Sequence, residues 1–288
     1  MAPPPPSRRL VGVSTKMYFS FARTKSYIDA LTKQLSTLSP EPRSTIQETT
    51  DVFVIPDHVA LTTVIQQLSS SPDKILVGAQ DAFHEDAGAF TGEVSPAVLS
   101  EVGCRLLEIN HAERRRLFGE TDESAAKKAV AAARNGLVPL ICVGETTKPP
   151  ATTTQEEGGL DVSAAMSEIR AQIEAVLAGL PASSPVILAY EPVWAIGAPA
   201  PASPAYVVSV ARAIRELDCV RRRFEHAGDE GIAGGDEFTK TPVRILYGGS
   251  AGPGLFAHLK SEVDGLFLGR FAHDPEMFVK TILEVASA

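Results

Sequence analysis

The chain has 288 residues, 44% of them hydrophobic, which is enough to bury a large core within one domain. With 27 Lys and Arg against 35 Asp and Glu its formal charge is −8, so it lacks the basic excess needed to hold a nucleic acid or an anionic membrane surface. Cys104, Cys142 and Cys219 form no close pair, which argues against a disulfide framework or zinc site and fits a reducing cytoplasm, and no run approaches the roughly 20 apolar residues of a membrane span.

The Pro-rich opening MAPPPPSRR has no apolar signal core after it, so residues 1–8 are expected to be a disordered tail and residues 9–288 a single domain. Eight short apolar segments follow: Leu10–Val13, Val52–Ile55, Ile75–Ala79, Leu106–Ile109, Val138–Val143, Val186–Tyr190, Val243–Tyr247 and Gly265–Leu268. Helical patterns lie between several of them, at Ala22–Leu38, Ser124–Asn135, Ser163–Leu180, Pro204–Phe224 and Pro275–Ala286, and Asp122, Ser163, Ser203 and Asp274 stand where N-caps belong. Strand alternating with helix is the signature of a parallel α/β sheet. The pattern predicts a (β/α)8 barrel, the TIM barrel, as a single domain, with an open doubly wound sheet as the competing architecture. Two long connections are read as polar, exposed insertions, 146–159 (TTKPPATTTQEEGG) and 227–241 (AGDEGIAGGDEFTKT).

In a barrel the C-terminal strand ends converge on one mouth, where catalytic loops lie. Lys16 follows the first strand, His111 the fourth, Glu191 the sixth, Gly248-Gly249-Ser250 the seventh and Gly269-Arg270 the eighth. Glu191, delivered from VILAY into a turn beside Pro192 and Trp194, is placed for desolvation to raise its pKa and make it a general base. His111 opens a charged segment, where a helix N-terminus would disfavour the imidazolium and leave a neutral donor for a carbonyl oxygen. Lys16 reads either as a solvated lysine or as a cation facing the mouth. The YGGSAG turn at 247–252 offers consecutive N–H groups to a phosphate, as does Gly269. Glu113, followed by three arginines, is either a solvated helix carboxylate or a buried one, paired to an arginine and supporting Lys16.

The segments GAFTGEVSP, HAERRRLFGE, AYEPVWAIG, YGGSA and DGLFLG, at fitting spacing from about Leu10 to Ala286, closely resemble the triosephosphate isomerase family. The resemblance implies Glu191 as catalytic base, His111 as electrophile, Lys16 as electrostatic lysine, Glu113 and Ser14 as supporting residues, and a closing lid at about Pro192–Ala202. Those base, neutral-histidine and lid roles are the ones for which that enzyme is a standard worked case. It also implies phosphate or substrate binding by Gly197, Gly249, Ser250, Gly269 and Arg270, no metal and no organic cofactor, and a place in glycolysis and gluconeogenesis. A homodimer is implied through the loop Gln80–Glu93, with Thr91 near its tip.

Departures from the family pattern surround the expected substrate. Its Asn-x-Lys reads Ser14-Thr15-Lys16, its Gly and Ser beside the histidine read Asn110 and Ala112, its lid Gly-Thr-Gly-Lys reads Gly197-Ala198-Pro199-Ala200, and its second glycine after the last strand reads Arg270. Arg270 is expected to contact phosphate directly, the alternative being an ion pair with Asp264 or Asp274. Base and electrophile remain while their surroundings change, which suits a kept reaction on an altered substrate. The expected activity is interconversion of glyceraldehyde 3-phosphate and dihydroxyacetone phosphate. The alternatives are an erythrulose-phosphate isomerase with the same mechanism, a branch the chain also resembles, and a catalytically weak phosphosugar-binding relative.

Overall fold

A sheet closes into a barrel only if its first strand pairs on both edges, and here it does. The computed structural model describes residues 8–149, 155–156, 159–198, 201–230 and 238–288. Its eight parallel strands are β1 (Arg9–Ser14), β2 (Thr50–Ile55), β3 (Ile75–Ala79), β4 (Leu106–Ile109), β5 (Val138–Val143), β6 (Val186–Tyr190), β7 (Val243–Tyr247) and β8 (Gly265–Leu268). In β1, Leu10 stands in register with Asp51 of β2 on one side and Gly265 of β8 on the other. The remaining strands pair in chain order, so the sheet is a closed barrel and the open alternative is excluded.

Alternation along each strand divides the core in two. Inward residues, among them Leu10, Phe53, Leu106, Leu140, Ile187 and Phe267, fill the barrel, and the outward Val11, Val13, Val54, Leu107, Ile109 and Leu188 pack beneath the helices. Gly12 is required by this packing, because a Cβ there would lie 2.3 Å from the Phe53 ring, which stacks on Phe267 at 5.6 Å.

Six strands match their predicted limits, whereas the helices differ more. The predicted Pro204–Phe224 is two helices, Pro204–Arg215 and Asp218–Glu230. Neither Gly nor Pro marks the break. The chain turns at Leu217, which buries its side chain, and Arg223 of the second helix donates to the carbonyls of Pro181 and Ser184. Helices at Pro40–Thr49, Leu61–Ser69, Pro96–Glu101 and Ala112–Phe118 were not evident from the pattern. Ser203 and Asp274 cap their helices as expected. Asp122 does not, because Thr121 caps that helix in a reciprocal bond pair with Ser124, and Ser163 is a first helical residue whose N–H is taken by Asp161 at 2.9 Å.

Of the expected tail, residues 1–7 lie outside the described residues, and Arg8 at its end binds Asp51 at 3.1 Å. Of the first insertion, 150–154 and 157–158 lie outside them too, while Gln155–Glu156 pairs antiparallel with Gly159–Leu160. The second insertion, whose residues 231–237 lie outside them, is not wholly exposed. Phe238 is 5% exposed and belongs to the barrel interior, with Arg244 at 5.2 Å and Arg105 at 5.8 Å from its ring. Arg244 is itself buried near the strands' N-terminal ends and paired with Asp51 at 3.0 Å, so an apolar ring stacked on it shields a costly charge from water. Among the described residues no helix is long and apolar enough to cross a membrane.

Candidate active site

The alternation that fills the barrel also aims its last residues into the mouth. Ser14 of β1, Glu108 of β4, Cys142 of β5 and the residues just past β4, β6, β7 and β8 line one cavity of about 1250 Å3. Lys16, His111, Glu113, Glu191, Gly197, Gly249, Ser250, Gly269 and Arg270 all border it, so the structure brings together every site residue that the sequence singled out.

Glu191 is fixed by its backbone N–H, which donates to Val143 O at 2.8 Å, and its side chain is 7% exposed. Two glycines make room for it. A Cβ on Gly144 would meet Glu191 O at 1.9 Å, and one on Gly248 would lie 2.4 Å from Glu191 Oε1. Gly248 therefore serves the carboxylate by its lack of a side chain, a role distinct from the anion loop read in the sequence. Among the described residues Glu191 Oε2 is buried without a hydrogen-bond partner. Burial pushes the pKa up to about 8, against the pull of the Lys16 charge.

His111 caps the helix Ala112–Phe118, and the Glu113 N–H donates to its Nδ1 at 3.1 Å. A backbone N–H can only donate, so Nδ1 accepts and the neutral ring carries its proton on Nε2. That nitrogen lies 3.4 Å from Glu191 Oε2. Burial, and then the Lys16 charge, hold the imidazole below its ordinary pKa, which keeps it neutral.

Lys16 has a φ of +47°, an uncommon conformation for a residue with a side chain, and it turns its ammonium to Glu113 Oε1 at 2.9 Å. Burial pulls its pKa down, but the bond to Glu113 and the nearby Glu191 charge overcome this and raise it. Lys16 is thus not the solvated lysine that was one reading. Glu113 does support it, yet the carboxylate is 39% exposed and its partner is Lys16, not an arginine. Arg115 instead binds Asn110 Oδ1 at 3.0 Å and Asp122 at 2.5 Å. Asn110 itself adopts φ +66°, a left-handed conformation that asparagine tolerates better than most residues, which explains how it stands where the family pattern has glycine.

On the opposite wall, Ser250 Oγ donates to Ala195 O at 3.1 Å, joining the turn after β7 to the short helix Val193–Ala195 that opens the lid segment. Gly197 has φ +72°, and a Cβ there would lie 3.8 Å from an Arg270 guanidinium nitrogen, so Arg270 reaches across to the lid. Among the described residues, neither of the ion pairs that were the alternative for Arg270 forms. Asp264 is taken by Arg215 at 2.5 Å, and Asp274 caps the last helix. Pro199 and Ala200 lie outside the described residues.

Two carboxylates were missed in the sequence. Glu145 accepts from Trp194 Nε1 at 2.7 Å, Tyr206 OH at 3.0 Å and Tyr190 OH at 3.3 Å, tying the lid's base to the barrel. Glu108 lies inside the barrel, where Ser14 Oγ donates to it at 3.1 Å. Its one available signal was a charged residue at an inward position of an otherwise apolar strand.

A buried carboxylate base facing a neutral imidazole donor, beside a fixed ammonium, can move a proton between adjacent carbons and stabilise the enediolate between them. Together with a closed β/α barrel this defines the class of the protein, an intramolecular isomerase of phosphorylated sugars. The family model for triosephosphate isomerase matches residues 9–285, and the chain belongs to that family. It is 42% identical over 274 residues to the L-erythrulose-1-phosphate isomerase of Pectobacterium atrosepticum, covering 94% of each chain. It is 40% identical to the L-erythrulose-1-phosphate isomerase of Rhizobium etli over 82% of this chain and 80% of that one. It is 34% identical to the triosephosphate isomerase of Aquifex aeolicus over 96% of this chain and 98% of that one.

Proposed function

We propose that the protein interconverts tetrulose phosphates, taking L-erythrulose 1-phosphate as substrate. Glu191 removes the proton from C3, the enediolate spans C2 and C3, and reprotonation at C2 leaves the carbonyl on C3. His111 Nε2–H donates to the two oxygens in turn and Lys16 offsets their charge. The observation that carries the reaction is the approach of His111 Nε2 to Glu191 Oε2 at 3.4 Å. The tetrulose reading draws support from the relatives at 42% and 40% identity and from the altered residues Ser14, Asn110 and Ala112 around an unchanged base and imidazole. The same three groups serve a triose phosphate equally well, and the Aquifex relative favours that second reading.

The test is turnover of purified protein on L-erythrulose 1-phosphate and on glyceraldehyde 3-phosphate. A kcat/KM higher for the tetrulose supports the proposal, a higher value for the triose replaces it with the second reading, and no turnover of either removes both.

Phosphate is held by backbone N–H groups of Gly249, Ser250 and Gly269, by Gly197 of the lid, and by the Arg270 guanidinium, which has no ion pair among the described residues. Arg270→Gly is expected to raise KM about tenfold, the loss of one charge-assisted hydrogen bond. An unchanged KM would remove Arg270 from the phosphate site.

A second copy of the chain completes the working molecule. Met17, 88% exposed, and Val59, 80% exposed, flank the base of the loop Gln80–Glu93, where Gln80 donates to Lys16 O at 2.9 Å and His58 Nε2 meets Asp81 O at 2.8 Å. Apolar side chains so placed suit an interface. Sedimentation should give a dimer for the natural chain and a monomer for Met17→Glu; a monomeric natural chain at micromolar concentration would contradict the assembly.

A further inference from the structure

The carboxyl group of Glu108 has no part in the proton chemistry above, yet it occupies an expensive position. It is 3% exposed, on an inward site of β4, above barrel layers that hold Leu106, Leu140, Phe53 and Phe267. Carboxyl groups buried in apolar surroundings cost stability unless they are paired. No cation pairs with this one among the described residues: burial is the main influence on it, and Lys16, whose charge also acts on it, is turned to Glu113. Among the described residues its one hydrogen bond comes from Ser14 Oγ, at 3.1 Å to Oε2, and both residues border the cavity.

We infer that Ser14 and Glu108 form a specificity subsite on the cavity floor, which binds the terminal hydroxyl that a four-carbon sugar phosphate has and a three-carbon one lacks. The inference rests on the proposed isomerase reading and deepens it. An alcohol both donates and accepts. The Glu108 oxygen not bonded to Ser14 can take its proton, and the Ser14 oxygen, whose own proton is committed to Glu108, keeps lone pairs to offer in return. Serine is also short, so it leaves space in the mouth where a longer side chain would reach.

Position supports the same assignment. The proposed phosphate groups follow β7 and β8, and in an eight-stranded barrel β4 lies across from β8. A substrate anchored by its phosphate at β8 therefore points its other end toward β4, beneath His111. In L-erythrulose 1-phosphate the carbon that Glu191 deprotonates bears a hydroxymethyl group where dihydroxyacetone phosphate has only hydrogen. That group needs both volume and a polar partner at the end remote from phosphate.

The experiment compares the natural chain with Glu108→Leu, Glu108→Gln and Ser14→Ala. For each, kcat/KM is measured on L-erythrulose 1-phosphate and glyceraldehyde 3-phosphate, and the Kd of two unreactive polyol phosphates, erythritol 4-phosphate and glycerol 3-phosphate, is measured by calorimetry. Glu108→Leu should lower the tetrulose-to-triose ratio of kcat/KM about 10- to 100-fold and abolish any binding preference for erythritol 4-phosphate, with Glu108→Gln, which keeps an acceptor, and Ser14→Ala falling between. The melting temperature of Glu108→Leu should rise, because an unpaired buried carboxyl is replaced by a side chain like its neighbours. Unchanged ratios of both kcat/KM and Kd would overturn the subsite, as would a fall in melting temperature with those ratios intact, which marks a purely structural residue. Failure of the natural chain to isomerise either substrate would count against the isomerase reading instead, and the binding preference would still decide whether Glu108 reads the hydroxyl.

Discussion

Shortening Glu191 to aspartate is expected to lower kcat about 100-fold or more while KM changes little. The carboxylate retreats by roughly 1 Å, and a misplacement of that size costs a proton transfer about two orders of magnitude. The surroundings cannot follow it, because its backbone is tied to Val143 and the space around its side chain is set by the absence of a Cβ at Gly144 and Gly248. Glu191→Gln keeps the shape and removes the base, so its loss should be as large or larger, in the range of about 10²- to 10⁴-fold typical of general bases. Steady-state rates on the better substrate check both, and parity with the natural chain would remove Glu191 from the chemistry. The pH dependence has a definite sign. A base works deprotonated and burial holds this one up to about 8, so kcat/KM should climb with pH through that region, well above the range of an ordinary glutamate. The same shift acts on stability. The folded state holds the proton more tightly than the unfolded chain, so this contribution is complete below the ordinary glutamate pKa and is lost as pH rises toward 8.

Lys16→Met should cost about 10²- to 10³-fold in kcat, the usual effect of removing one preorganised donor to a developing oxyanion. Methionine keeps most of the apolar stem and removes the charge together with the N–H donors, including the one bonded to Glu113. The ammonium also holds the Glu191 pKa down, so its loss should move the acid limb of the kcat/KM profile to higher pH, a readout that a packing role would leave in place. A variant with an unshifted limb and a kcat within a factor of a few of the natural chain would show that Lys16 faces the mouth without acting there. The strained φ of +47° at Lys16 is consistent with a side chain held for a task, since such backbone conformations persist where the surrounding structure imposes them.

How far these residues were legible depended on the distance over which each was specified. Glu191 and His111 stood out because each follows an apolar strand within a few residues, and strand ends are readable from alternation alone. The helix break at Leu217 was not readable, for no glycine or proline marks it and the turn follows from burial of a side chain. Phe238 looked like part of a polar loop, and only its stacking against Arg105 and Arg244 shows it to be a plug. Glu113 was read as supporting Lys16 while paired to a neighbouring arginine, whereas it binds Lys16 itself, 97 positions away.

By itself the sequence determined the eight strands, the class of chemistry at their ends and the residues that depart from the family pattern around the substrate. The strands and their ends follow from side-chain period and local turn chemistry, which act over two to four residues, whereas the chemistry and the departures were read from the resemblance to the family. Tertiary structure alone decided the closure of the sheet, the protonated nitrogen of His111, the clearance that Gly144 and Gly248 give to Glu191, and the pairing of Ser14 with Glu108 across 94 positions. Each of these depends on which parts of the chain meet and at what distance, and the burial that shifts the Glu191 pKa exists only once they have met.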